Sequence, residues 1–429
     1  MIGHFFRLAW ALIRENKGLF GLGLTVGILI IFLATHFSSL FPSRQKNSRI
    51  GVIGNYTLAT LPYFIQEELS FGLTRVLSDQ TATPAAAVSW EATDSGRLYA
   101  FKLNPNLYWH DGKKFLASDI NYNFADVRIN PGKDNTVVFH LKSSYAPLPS
   151  AVSQPLFRPG FIGLGKYRLS GVQLNGRFLR SLAITKNHGG KETITYRFYP
   201  TKTMATTALK LGEVQKIIDV YDPRGAPDYR EEAVVLLNTR SGDLADKSFR
   251  QALAYSLPDH FTQGQEADGP IPPTSWFYNP NLKKYPQDFA QGKELVKKSL
   301  SSSSATLRLV TSDDLSPVAE ILAANWAKIG VQTKITVSDV IPSDYDAFLT
   351  YLEIPSDPDQ YLFWHSTSDQ NISGYKSPKV DRLLEEGRQI LDPEVRKDKY
   401  AEFQKAITED LPALFLYFPK VYTLTRSSL

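Results

Sequence analysis

Residues 18–42 run for 25 positions without a formal charge. No other segment limits the fold of this chain so strongly. Its apolar centre, 19–37, is interrupted only by glycines, Thr25, Thr35 and His36. In a helix those residues span about 28 Å, close to the ~30 Å hydrocarbon core of a bilayer. Few soluble helices stay uncharged this long. We therefore expect a transmembrane anchor over 18–42, a cytoplasmic segment over 1–17 and a polar linker over 43–49. Arg7, Arg14 and Lys17 precede the span, and Arg44, Lys46 and Arg49 follow it. That balance leaves orientation undecided by charge. The long preface and long apolar run favour an uncleaved anchor over a signal peptide with a ~7–15-residue apolar core.

The rest reads as a large water-soluble body, expected to be monomeric. Hydrophobic residues make up 43% and charged residues 21% of 429, an ordinary globular balance consistent with two or three domains. The chain has no cysteine, which excludes disulfides, zinc-thiolate sites, a cysteine nucleophile and a lipidated cysteine. A net charge of +5 over the whole chain gives no argument for nucleic acid. There is no GxxxxGK[ST], HExxH or GxSxG motif. The seven histidines lack metal-ligand spacing. His110-Asp111 has no nucleophile nearby and reads as a turn beside Gly112. Asp357-Pro358-Asp359 could pair carboxylates for acid–base work, but proline between them favours a rigid turn. No catalytic residue, metal site or cofactor is expected, and the chain does not read as an enzyme.

Strand patterns occur at 50–54, 98–103, 136–141, 191–200 and 415–425. A short helix is expected over 118–126. Helices are expected over 203–211, closed by Gly212, and over 249–257, stopped by Pro258. Ser316-Pro317, Ser377-Pro378 and Asp392-Pro393 each read as an N-cap followed by an N1 proline. Strands at 307–310 and 331–337 flank the first of these, a βαβ unit. The class is α/β with mixed sheets.

Several motifs then fall in one order. They are Pro84 with Ser89-Trp90-Glu91, Tyr99-Ala100-Phe101-Lys102-Leu103, Tyr108-Trp109-His110-Asp111-Gly112-Lys113 and Phe115-Leu116-Ala117-Ser118-Asp119-Ile120. Gly163-Leu164-Gly165-Lys166-Tyr167, Arg250-Gln251-Ala252-Leu253, Gly269-Pro270-Ile271-Pro272-Pro273 and Asn371-Ile372-Ser373-Gly374-Tyr375 follow. The series resembles the extracellular solute-binding proteins of family 5, the oligopeptide and dipeptide receptors of ABC importers. The likeness covers roughly residues 50–425. Departures are a span instead of a cleaved leader, a short stretch at 124–135, and Lys166 where the family has a turn proline.

The resemblance implies a two-lobed periplasmic-binding-protein-like fold of type II, peptide-receptor class, with a reduced third subdomain. Lobe I would hold 50–232 with a C-terminal strand 416–429, and lobe II 233–415. Hinges would lie near 234–238 and 414–418. The implied function is a membrane-tethered, extracellular substrate-binding component that captures peptides or another small solute for ABC permease subunits. The alternative is a tethered sensor or scaffold with a non-peptide ligand or none. Nickel complexes and oligosaccharides are further ligand classes of the family. The family's amine-binding acid would fall at Ile354, with Glu353 adjacent. Candidate ligand-binding residues are Asn238, Glu353, Asp359, Trp364, Asn371 and Tyr375, with the loop 353–364 as one jaw of the cleft.

Overall fold

The computed structural model describes residues 17–36, 46–188, 192–299, 305–338 and 345–428. Strand Ala413–Thr425 organises it. Its first half pairs antiparallel with Glu231–Leu237, as in Leu236 with Ala413. Its second half pairs antiparallel with Lys216–Pro227, as in Ile217 with Leu424. One sheet half therefore grows outward through Ala347–Glu353, Ala305–Thr311 and Val331–Val337. The other grows through Lys46–Ile53, Glu192–Tyr199, Phe178–Lys186 and Tyr167–Asn175.

The chain passes between the halves twice, at 228–230 and within the long strand near 418–420. The segment 234–238, expected to flex, instead lies largely in a central strand paired on both sides. Its residues are buried on both faces, so it reads as a continuous apolar run. Ala233, Val235 and Leu237 join one core with Leu322, Trp326 and Leu349. Val234 and Leu236 join another with Trp364, Tyr400 and Phe403.

A separate four-stranded sheet is made by Ala87–Thr93, Leu98–Leu103, Thr136–Leu141 and Val127–Pro131. Tyr99, Phe101 and Leu103 point into its core, as their alternation requires. The helix expected over 118–126 is only a single 3-10 turn, Ala117–Asp119. Asp119 ends it by accepting from the Leu116 N–H at 2.9 Å and from Trp109 Nε1 at 3.0 Å. The motif Tyr108 to Lys113 is also structural. His110 Nε2 lies 2.9 Å from the Gly165 carbonyl, and the Gly163 N–H donates to His110 Nδ1 at 3.2 Å. The glycines are needed there, because a Cβ on Gly163 would meet the Leu69 carbonyl at 2.0 Å.

The proline-marked helices form at Pro378–Gln389 and Pro393–Asp410. Ser377 accepts from the Val380 N–H, and Asp392 from those of Glu394 and Val395. Ser316, expected as a cap, lies inside helix Ser316–Lys328 and caps nothing. The βαβ unit forms, with Ala305–Thr311 and Val331–Val337 parallel neighbours.

At the N-terminal end, a helix spans Lys17–His36. Among the described residues no helix is long and apolar enough to cross a membrane. The anchor expected over 18–42 is therefore not established by the structure, and residues 1–16 and 37–45 lie outside the described residues.

Candidate functional site

The loop after strand Ala347–Glu353 lies where the two sheet halves meet. Asp357 Oδ1 accepts from the Asp359 N–H at 3.0 Å, and Asp359 Oδ1 from the Tyr361 N–H at 3.2 Å. Asp-Pro-Asp is thus a rigid turn, not an acid–base pair. Arg396 holds it with two bonds to Asp357, at 2.9 Å and 2.5 Å. Burial opposes the Arg396 charge, but Asp357 outweighs it and holds the guanidinium above its ordinary pKa. Arg388 donates to Asp359 at 2.7 Å and stacks 4.0 Å from the Tyr361 ring centroid.

Other elements reach this loop from across the junction. Gln80, at the tip of the hairpin Thr74–Val76 and Ala82–Pro84, donates Nε2 to the Pro355 carbonyl at 2.6 Å. The Trp276 N–H donates to the Asp79 carbonyl at 3.2 Å, and the Ala146 N–H to the Arg388 carbonyl at 2.6 Å. Beside these bridges is a cavity of about 200 Å³. Trp90 and Tyr99 line it from the four-stranded sheet and Ala146 from the loop that follows that sheet, with Trp276, Leu391 and Arg396 on the other side. Ligand pockets are commonly ~300–1,000 Å³, so this one suits a single side chain or a small solute unless the halves move apart.

The six expected ligand residues do not gather around one opening. Trp364 is 0% exposed, and its Nε1 donates to Gln360 Oε1 at 2.8 Å inside the core. In this structure it packs within the core around Tyr400 and Phe403 and not beside the junction cavity. Tyr375 is buried and donates to Asp410 at 2.5 Å. Asn371 is buried and donates to the His365 and Tyr375 carbonyls at 3.2 Å and 2.8 Å. Asn238 donates to the Tyr345 carbonyl at 3.1 Å. Asp359 is occupied by Arg388. These five stabilise the fold locally. Glu353 alone is exposed, at the end of its strand, opposite Glu231.

Sequence reading missed a cluster at the start of strand Glu231–Leu237. Tyr221 donates to Glu231 Oε1 at 2.7 Å and stacks on Tyr351 with centroids 4.7 Å apart. Glu232 is fully buried, and neither of its carboxyl oxygens has a partner. The signal was present as two acids opening an apolar run, a pattern that looks like a solvated strand end. Burial raises the Glu232 pKa well above the ordinary 4.5. The folded chain then keeps a proton that the unfolded chain releases, so this group lowers stability as pH rises above about 4.5. Urea midpoints of Glu232→Gln should accordingly fall less than those of the wild type between pH 4.5 and 8. Parallel pH profiles would contradict this.

Comparison with known proteins places the chain. The model of bacterial extracellular solute-binding proteins, family 5 Middle, matches residues 81–374. The dipeptide-binding protein of Escherichia coli K12 is 22% identical over 469 aligned positions, covering 86% of each chain. The crystal structure of NikZ from Campylobacter jejuni with Ni(L-His) superposes with a TM-score of 0.74 at 21% identity, covering 88% of this chain and 94% of that one. The oligopeptide-binding protein AppA from Bacillus subtilis, solved with a nonapeptide, gives 0.72 at 18% identity, covering 90% and 95%. These neighbours carry the two-lobed α/β fold of periplasmic binding proteins, and the proteins matched by name are binding proteins, not enzymes. With the family model matching most of its length, this chain belongs to the bacterial extracellular solute-binding proteins, family 5.

Proposed function

We propose that this protein is the solute-capturing component of an ABC importer, with peptides as the leading ligand class. The observation that carries the reading is a cavity lined from both sides of a junction that, among the described residues, the chain crosses in two strand passages. Such connections permit hinge motion, and a ligand touching both walls favours the closed form. The peptide class is supported by the dipeptide-binding relative and the nonapeptide complex. The nickel–histidine complex of the Campylobacter neighbour supplies the second class to test. A sensor or scaffold with the same fold is the competing role. Calorimetry with a library of di- to pentapeptides, and with nickel–histidine, separates these. Heat with peptides is expected; silence with both would favour the competing role.

Lobe I is proposed as 50–232 with the strand segment 416–429, and lobe II as 233–415. The four-stranded sheet is the reduced third subdomain. The alignment with the E. coli relative spans 469 positions while covering 86% of this chain, in keeping with a shortened insertion. The receptor is proposed to be a monomer outside the cytoplasm, tethered by residues 18–42, with Glu353 as a candidate contact. Support for the tether comes from the uncharged sequence and from exposed Leu22, Val26, Ile28, Leu29, Ile31 and Phe32 on helix Lys17–His36. Alkaline extraction of membranes should leave the protein in the pellet. Release into the supernatant would remove the tether.

A further inference from the structure

Charge is spread unevenly along this chain. From 166 to 216 it holds ten lysines and arginines but two acids, a net +8, whereas the whole chain carries +5. Such an asymmetry makes a basic surface only where the fold gathers the charges. Strands Tyr167–Asn175, Phe178–Lys186 and Glu192–Tyr199 and helix Lys202–Leu211 hold most of them, in one half of the large sheet.

Strand register decides which side of that sheet each residue takes. Arg168 pairs with Thr185, and Thr185 with Thr193. Two positions on, Thr195 pairs with Arg49. Alternation puts these on the face opposite the core of Leu182, Ile184 and Tyr196. Helix Lys202–Leu211 packs on the same outer face, with Ala205, Ala208 and Leu209 in a core with Ile217 beside Ile53 and Tyr199. It leaves Lys202, Met204, Lys210 and Leu211 in solvent, Met204 52% and Leu211 71% exposed. Arg49 and Arg168 are exposed on this side as well. Glu213, at the rim, is engaged by Arg197 at 3.2 Å. Among the described residues Arg49, Arg168 and Lys210 have no carboxylate partner.

Unpaired cations around two large exposed apolar side chains suit the boundary layer of an anionic bilayer, where charge meets headgroups and apolar groups enter the interface. Chain length supplies a second argument. Lys46 opens the strand that pairs with Glu192–Tyr199, and it follows the last residue of helix Lys17–His36 by ten positions. Ten residues reach at most about 35 Å. With that helix as the tether proposed above, this half of the sheet is held within that distance of the bilayer.

We propose that the outer side of lobe I docks on anionic lipid headgroups, with Arg49, Arg168 and Lys210 meeting phosphates and Met204 and Leu211 entering the interface. Lobe II then moves against a lobe held in place. The inference rests on the tether only for bringing face and membrane together.

The chain has no cysteine, so single cysteines can carry a nitroxide label. Thr207→Cys reports the exposed side of helix Lys202–Leu211, and Glu320→Cys, exposed on helix Ser316–Lys328 of lobe II, is the control. The full chain is reconstituted in vesicles of phosphatidylcholine, alone or with about one third phosphatidylglycerol. Accessibility of the label at 207 to a neutral, water-soluble relaxation agent should fall at least threefold in the anionic vesicles, and high salt should restore it. The label at 320 should stay within 1.5-fold. Arg49→Gln, Arg168→Gln and Lys210→Gln combined, all at exposed positions, should leave 207 accessible in both lipids. Equal accessibility at 207 in the two lipids, an equal fall at both sites, or a full fall in the triple variant would each overturn the inference. Equal protection of 207 by a duplex oligonucleotide in neutral vesicles would give the face to nucleic acid and overturn it too. A chain that does not float with neutral vesicles removes the tether. Salt-reversible flotation of that chain with anionic vesicles would still support the docking face, and flotation with neither would overturn both.

Discussion

Arg396→Ala should lower the unfolding free energy by about 3–5 kcal/mol, the usual cost of removing one partner of a buried ion pair. Arg396 is 6% exposed, and its guanidinium makes both bonds to Asp357 and a third to the Gly387 carbonyl at 2.8 Å. Truncation strands the Asp357 carboxylate, frees the Gly387 carbonyl and removes one wall of the junction cavity. Most of that cost comes from the stranded charge. The double variant Arg396→Met, Asp357→Leu should therefore recover more than half of the loss. Urea denaturation of the three proteins decides the point. A single variant within about 1 kcal/mol of wild type, well under the ~3–5 kcal/mol expected for a stranded buried charge, would mean that the pair is not holding the loop.

Trp364→Ala should cost about 3–5 kcal/mol as well, through a cavity and not through lost ligand. The indole packs edge-on to Phe415, with ring centroids 6.0 Å apart, within the core around Tyr400 and Phe403. Its N–H binds Gln360, which in turn donates to the Pro270 carbonyl at 2.5 Å, so truncation also loosens the segment 270–276. Trp276 of that segment lines the cavity. Any change in binding should thus follow stability. An unchanged midpoint with lost affinity would return Trp364 to the cleft.

Local signals were the most legible part of the sequence. The caps at Ser377 and Asp392 depend on residues within one turn, and both form. Ser316 carried the same Ser-Pro signal and failed, because the 3-10 turn Asp313–Leu315 runs directly into the helix and moves its start. The alternation in 98–103 fixed which side chains are buried, since period two leaves no other choice. The segment 120–126 misled because distant groups shape it: Ile120, Tyr122 and Phe124 pack against the core of the four-stranded sheet, and the Tyr122 hydroxyl donates to the Val152 carbonyl at 2.7 Å.

The candidate site was legible as a loop but not as a set of side chains. Residues 353–364 do lie at the junction, through Gln80 and Pro355. Which of them turn outward depends on partners more than twenty residues away in sequence, Arg388 for Asp359 and Arg396 for Asp357. Acid-rich composition suggested contact with solute, whereas arginines from two helices had already neutralised those acids. Glu232 was hidden for the opposite reason. Beside Glu231 it resembles a solvated pair, and only the pairing of its strand on both sides reveals its burial.

The central claim is that the two lobes capture a small solute at their junction. Native mass spectrometry of the full chain, purified from its own cells in detergent and sprayed without denaturation, tests it most directly. The account predicts a mass above that of the polypeptide by one small molecule, lost on unfolding and identified by fragmentation as a peptide. A chain that carries no such molecule, and gains none from an extract of its own growth medium, would contradict the account.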